Sequence, residues 1–109
     1  MKYKTWKCGL CGETVIEGQR FLFIRDIGFA HFECVVEKLT RNLENVNRDL
    51  TALLDANEVI TYSIIRLKDA EAKASDQEIK NLLIGVRKEL EKYSAQLSSG
   101  LSKYLKEAA

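Results

Sequence analysis

From residue 36 onward, apolar side chains recur at alternating steps of three and four: Val36, Leu39, Leu43, Val46, Leu50, Leu53, then Ile60, Ile64 and Leu67. This is the seam of an amphipathic helix, with one polar position, Asn57, inside it. No glycine or proline interrupts residues 29–84. The pattern predicts one helix over about 32–73, roughly 60 Å long at 1.5 Å per residue. Asn57 has two readings: a solvent-edge residue in an imperfect seam, or a polar contact that orients a partner and sets register.

Ser75-Asp76-Gln77-Glu78 follows, a serine with glutamate three residues on, which predicts a capping box at a second helix start. Ile79, Leu83, Val86, Leu90, Tyr93, Leu97 and Tyr104 then share a stripe. That predicts a helix over about 76–106, with Ser98-Ser99-Gly100 as its weak point. A short link between two long amphipathic helices makes an antiparallel hairpin, and its shorter arm ends beside about residue 43. Leu54, Val59, Ile65 and Leu82 widen the apolar stripes beyond what two helices cover. Self-association is therefore expected, a homo-oligomer such as a dimer formed through the hairpin. Charged positions such as Arg41, Glu44, Arg48 and Glu58 read as solvated helix faces.

Residues 1–34 are built differently. They hold all three cysteines, the single histidine, the tryptophan, all four phenylalanines and four of the six glycines. Phe21 to Ile24, between Gly18 and Gly28, reads as a strand of a β-hairpin. The expected division is a head at 1–34 and a helical hairpin at 35–109, with the head on a two-helix stalk. The fold class is mainly α with a small β and zinc-binding head.

The head also carries the chemistry. Cys8 and Cys11 form a C-x2-C knuckle, and His31 and Cys34 an H-x2-C pair nineteen residues later. Zinc takes four such ligands at tetrahedral corners. Two thiolates converge from one tight turn, which Gly9 and Gly12 permit. His31 and Cys34, three apart on the first turn of a helix, face the same way. A lone histidine is ordinarily a core or surface residue. Here every cysteine and the only histidine fall into one four-ligand pattern. One structural Zn2+ held by Cys8, Cys11, His31 and Cys34 is the expectation, and it explains how so small a head can fold.

Composition narrows the rest. The chain has 109 residues, one domain's length, with 46% apolar and 30% charged residues and a net charge of +1. That balance argues against strong bulk attraction to nucleic acid or to an anionic membrane. The apolar runs are too short to span a membrane. MKYKTWK is basic but leads into no apolar segment of a secretory signal. Cysteines without such a signal point to a reducing compartment and to metal or catalytic use rather than disulfides. The absence of proline suits uninterrupted helix.

The spacing C-x2-C-x19-H-x2-C resembles the first half of a LIM domain and, more broadly, a treble-clef finger; the second LIM module is missing. The layout as a whole resembles a family of small archaeal proteins of unknown function. The resemblance rests on Lys4, Trp6 and Lys7, the knuckle Cys8 to Gly12, the segment Gly18 to Phe23, His31-Phe32-Glu33-Cys34, and two charged helices. It covers essentially the whole chain. It implies the same four metal ligands and a cytoplasmic archaeal protein, and it implies no activity.

Three readings of function follow. An enzyme is disfavoured. His31-Phe32-Glu33 superficially matches the H-x-E of zinc deaminases, but the later P-C-x-x-C is lacking and Cys34 would fill the fourth position. No phosphate loop, nucleophile elbow or paired catalytic carboxylates are found. Nucleic-acid or ribosome association is the alternative, through Lys2, Lys4, Lys7, Arg20 and Arg25 beside Tyr3, Trp6, Phe21 and Phe23. Against it, Glu13, Glu17, Asp26 and Glu33 nearly cancel the charge, and in so small a finger these aromatics belong mostly to the core. The favoured expectation is a non-enzymatic zinc-binding adaptor that takes a protein partner through its head and helical stalk.

Overall fold

The structure is a computed structural model, and it describes residues 4–42 and 48–106. Lys2, Tyr3, Leu43, Glu44 and Val46 of the sequence reading lie outside these residues. Two short antiparallel hairpins come first: β1 (Thr5–Lys7) with β2 (Thr14–Ile16), and β3 (Phe21–Ile24) with β4 (Gly28–His31). Three helices follow, α1 (Phe32–Asn42), α2 (Arg48–Lys73) and α3 (Gln77–Lys106). The protein is mainly helical, and α2 and α3 pack along one another as the predicted hairpin. At its tip the Asp76 carboxylate, rather than Ser75, caps α3 by accepting the Ile79 N–H at 3.1 Å.

The single helix expected over 32–73 is corrected. A straight helix of that length would be roughly 60 Å long, more than the 51 Å of the molecule's greatest extent. It would also hold Phe32 far from Thr61. Instead the Phe32 N–H donates to the Arg20 carbonyl, while the Phe23 N–H, on the same short strand, donates to Thr61 Oγ1 at 3.0 Å. So α1 leaves the head in one direction, and α2 lies back across it.

One buried cluster joins the two compositional halves. Phe21, Leu22 and Ile24 of β3 share it with Val35 and Leu39 of α1, Leu54 and Ile65 of α2, and Leu101 and Leu105 of α3. The head therefore lies against the flank of the helix pair. Burial along α2 follows Leu50, Leu54, Asn57, Thr61 and Ile65. Of the four stripe-widening residues, Leu54 and Ile65 are buried, while Val59 and Leu82 stay exposed.

The polar members of this interface have a shared cause. β3 is a strand of a two-stranded sheet, so its outer backbone groups have no neighbouring strand. The helices supply the partners. Phe23 donates to Thr61 and accepts from Asn57 Nδ2 at 3.1 Å and from Ser98 Oγ at 3.4 Å. The Arg25 carbonyl accepts from Ser102 Oγ at 3.4 Å. Asn57 is thus no solvent-edge residue: it is fully buried, and its partner is the head. Ser94, Ser98 and Ser102, four apart along α3, are buried, and the last two lie under the backbone of Phe23 and Arg25. The expected weak point at 98–100 is a close-packed contact, where a Cβ on Gly100 would come within 3.4 Å of Leu53 Cδ2.

Candidate metal centre

The knuckle is the loop of the first hairpin. β1 runs into Cys8 and β2 leaves after Glu13, a pairing closed by the Cys8 N–H donating to the Glu13 carbonyl at 2.9 Å. Inside the loop the Gly12 N–H donates to the Cys8 carbonyl, and Gly12 has a φ of 79°, which an L side chain rarely adopts. Gly9 is required for a different reason. Its N–H donates to Phe29 at 2.8 Å, and a Cβ there would stand 2.2 Å from the Ile27 carbonyl oxygen. The knuckle is thereby pressed onto the second hairpin. The β1–β2 hairpin was not anticipated, although Thr5-Trp6-Lys7 and Thr14-Val15-Ile16 carry the β-branched and aromatic residues that mark strands.

The second ligand pair straddles an element boundary. His31 ends β4 and Cys34 lies in the first turn of α1, so His31 is a strand residue rather than a helical one. The order of knuckle, hairpin and helix start is that of a treble clef. It brings one ligand atom from each of Cys8, Cys11, His31 and Cys34 within 4.8 Å of the others. The His31 Nδ1 lies 3.5 Å from Cys11 Sγ and 3.6 Å from Cys34 Sγ. The edges of a tetrahedral site with metal–sulfur bonds of 2.3 Å are about 3.8 Å. The opposite ring nitrogen, Nε2, stands 3.1 Å from the Thr14 carbonyl. A proton on Nε2, donated to Thr14, leaves the Nδ1 lone pair facing the thiols.

The electrostatics suit a cation. Burial pushes the Cys8 thiol up, but hydrogen bonds from backbone N–H groups, those of Cys11, His31 and Leu10, outweigh it and lower the thiol to about 6. Leu10 and Cys11 each place an N–H 3.4 Å from Cys8 Sγ, and Glu13 places one 3.4 Å from Cys11 Sγ. Burial, followed by the neighbouring thiols of Cys11 and Cys8, pushes Cys34 up to about 12. One thiolate is thus favoured while a second is resisted, and a divalent ion removes that conflict. These four side chains fit a metal ion.

The remaining candidates disperse. Lys4 Nζ pairs with Asp69 of α2. The Arg20 guanidinium is bidentate to Glu58, at 2.9 and 2.8 Å, and lies 3.8 Å above the Phe32 ring. Lys7 and the side chain of Arg25 are exposed. Trp6 stacks on Phe29 at 4.8 Å and meets Phe21 at 4.9 Å, while Phe21 also meets Tyr62 of α2. These rings are core, as expected for so small a head. Phe23 is the exception: partly exposed, it lines a cleft of about 400 Å³ with Phe29, Ile64, Ala95, Arg25 and Lys68.

Among the described residues, no helix is long and apolar enough to cross a membrane. No curated protein and no solved structure matches the chain. Residues 4–103, nearly its whole length and including all four ligands, match the family described as "Uncharacterized protein conserved in archaea (DUF2175)", and the chain belongs to that family.

Proposed function

We propose that the protein is a non-enzymatic adaptor whose head is fixed by one structural zinc ion and which binds a protein partner. The observation that carries this reading is the completeness of the donor set. Three sulfurs and one imidazole nitrogen already lie within 4.8 Å of one another. Zinc so ligated keeps no position for substrate or water, which is the property of structural rather than catalytic sites. The half-LIM spacing of the ligands supports the same role by analogy of fold. The cleft beside Phe23 supplies an apolar floor with Arg25, Lys68 and Glu91 at its rim, a form suited to a protein side chain carried on a charged segment.

Nucleic-acid association has less support. Of its five candidate cations, Lys4 and Arg20 are engaged by carboxylates of α2, and Lys2 lies outside the described residues. The test is affinity capture of the zinc-loaded protein from archaeal cells, with and without nuclease, beside an Ala95→Arg variant that fills the cleft. A protein partner retained after nuclease and lost with Ala95→Arg supports the adaptor reading. Partners that vanish with nuclease, or whose binding falls steeply with salt, favour the alternative. A cytoplasmic setting belongs to the same proposal, because free thiols at a metal site require reducing conditions.

A further inference from the structure

Among the described residues, one face of α3 has no partner. Ile79, Leu82, Val86 and Tyr93 are 53%, 67%, 52% and 49% exposed. Their steps of three, four and seven make a heptad seam on a solvent-facing side of α3, with Glu89 at the seam position between Val86 and Tyr93. Few proteins leave an apolar stripe of this length in water without a use for it. Midway along its flank sits Gly85, which costs roughly 1 kcal/mol relative to alanine inside a helix. Nothing among the described residues explains it, since a Cβ at Gly85 would meet no atom of theirs within 4 Å.

The flanking charges decide what covers this face. Glu78 and Lys92 each lie seven residues from Gly85, two helical turns away on the same side of α3. One is acidic and the other basic, and Lys92 also makes a loose, exposed pair with Glu89 of its own helix at 3.6 Å. A two-fold axis beside Gly85, with the helices antiparallel, sets each Glu78 toward Lys92 of the other copy. A parallel pair would instead set these positions beside Leu83, Leu90 and Leu97 of the other copy, and neither charge would find a partner. The same axis packs Leu82 of each copy against Val86 of the other, and the absence of a side chain at Gly85 lets the two backbones approach there. We propose that two copies of the chain form an antiparallel dimer through this face of α3, centred on Gly85. The interface is isologous, with every contact made twice. The helices overlap over roughly 20–25 Å. The heads, packed against residues 94–102 of α3, then lie at opposite ends and do not collide.

The test is sedimentation equilibrium of the full zinc-loaded chain at 1–100 µM (roughly the range of weak to moderate interfaces). A dimer is expected. Val86→Glu, at an exposed position, should weaken it roughly a hundredfold or more while helix content and zinc stoichiometry hold. Lys92→Glu should weaken it roughly tenfold, and adding Glu78→Lys should restore it. A wild-type monomer throughout this range overturns the proposal, as does a dimer indifferent to Val86→Glu. A dimer sensitive to Val86→Glu but not to the charge exchange overturns the antiparallel register. The charge variants alter only surface side chains, so they test the interface even if Val86→Glu does not fold.

Discussion

Asn57 of α2 donates its side-chain N–H to the main-chain carbonyl of Phe23, so a buried amide on a long helix completes the edge of a short strand thirty-four residues away. With Thr61 and Ser98 it stands in for the strand that β3 lacks. Packing and polar satisfaction are therefore joined at this point. The head is held to the helices by directed bonds as well as by apolar contact.

Asn57→Ala removes the best-placed donor to Phe23 and leaves a buried carbonyl served only by the longer Ser98 bond. The expected loss is about 1–3 kcal/mol of unfolding free energy, read from urea denaturation of the zinc-loaded protein. A surface control such as Ala52→Ser should change stability by less than about 0.5 kcal/mol.

Cys11→Ser takes one ligand from the metal centre. Wild-type protein is expected to hold one zinc per chain and the variant substantially less, measured by elemental analysis after gel filtration. Because Phe21, Leu22 and Ile24 share one buried cluster with Leu54, Ile65, Leu101 and Leu105, the damage should not stop at the head. The helical circular-dichroism signal of the variant should melt at a lower temperature, in one transition. A helix pair as stable as wild type beside a disordered head would contradict the shared core.

Zinc affinity should rise with pH, because each thiol must lose its proton to bind. In the metal-free fold Cys8 sits at about 6 and Cys34 at about 12, against an ordinary thiol value of 9.0. At pH 7.5 binding therefore expels a proton from Cys34 but little from Cys8, and fewer than three protons leave in total. Below about pH 6 Cys8 is protonated as well, and affinity should fall more steeply. For the metal-free fold, the depressed Cys8 contributes stability that is full above pH 9 and lost as pH falls through 6. Cys34 contributes in the opposite sense, and its share is lost as pH rises from 9 toward 12. Calorimetry of zinc binding in two buffers of different ionisation enthalpy counts the protons released.

Ser98→Leu puts a large side chain where α3 meets the edge of β3. Overpacking should destabilise the fold by about 1–3 kcal/mol, seen in the denaturation midpoint. A stabilised variant would mean that the serine face is loosely packed after all.

The metal centre was legible because its signal is local and chemical. Two ligand pairs with fixed internal spacing announce themselves without knowledge of the fold, although the spacing left His31 on a helix that in fact begins one residue later. The helical hairpin was legible because apolar period and the Ser75–Glu78 stretch agree on where it turns. The division into α1 and α2 was not legible. Both α1 and α2 are amphipathic, no glycine or proline stands between them, and a periodic pattern does not tell a helix that continues from one that folds back. Asn57 and Ser98 misled for a related reason. Pattern alone shows a polar residue in an apolar seam, and only the fold shows the strand edge that requires it.

The placement of β3 against α3 also bears on how the protein is made. All four metal ligands are synthesised before residue 35, so an ion can gather the two hairpins while the chain is still being translated. The hydrogen bonds that Ser98 and Ser102 give the head belong to a segment that emerges some sixty residues later. Until then the outer edge of β3 faces solvent or a chaperone. A metal bound there would act as the early organiser of a head whose final cover arrives with the last helix, and cells short of zinc are then expected to accumulate nascent chains with that edge open to mispairing.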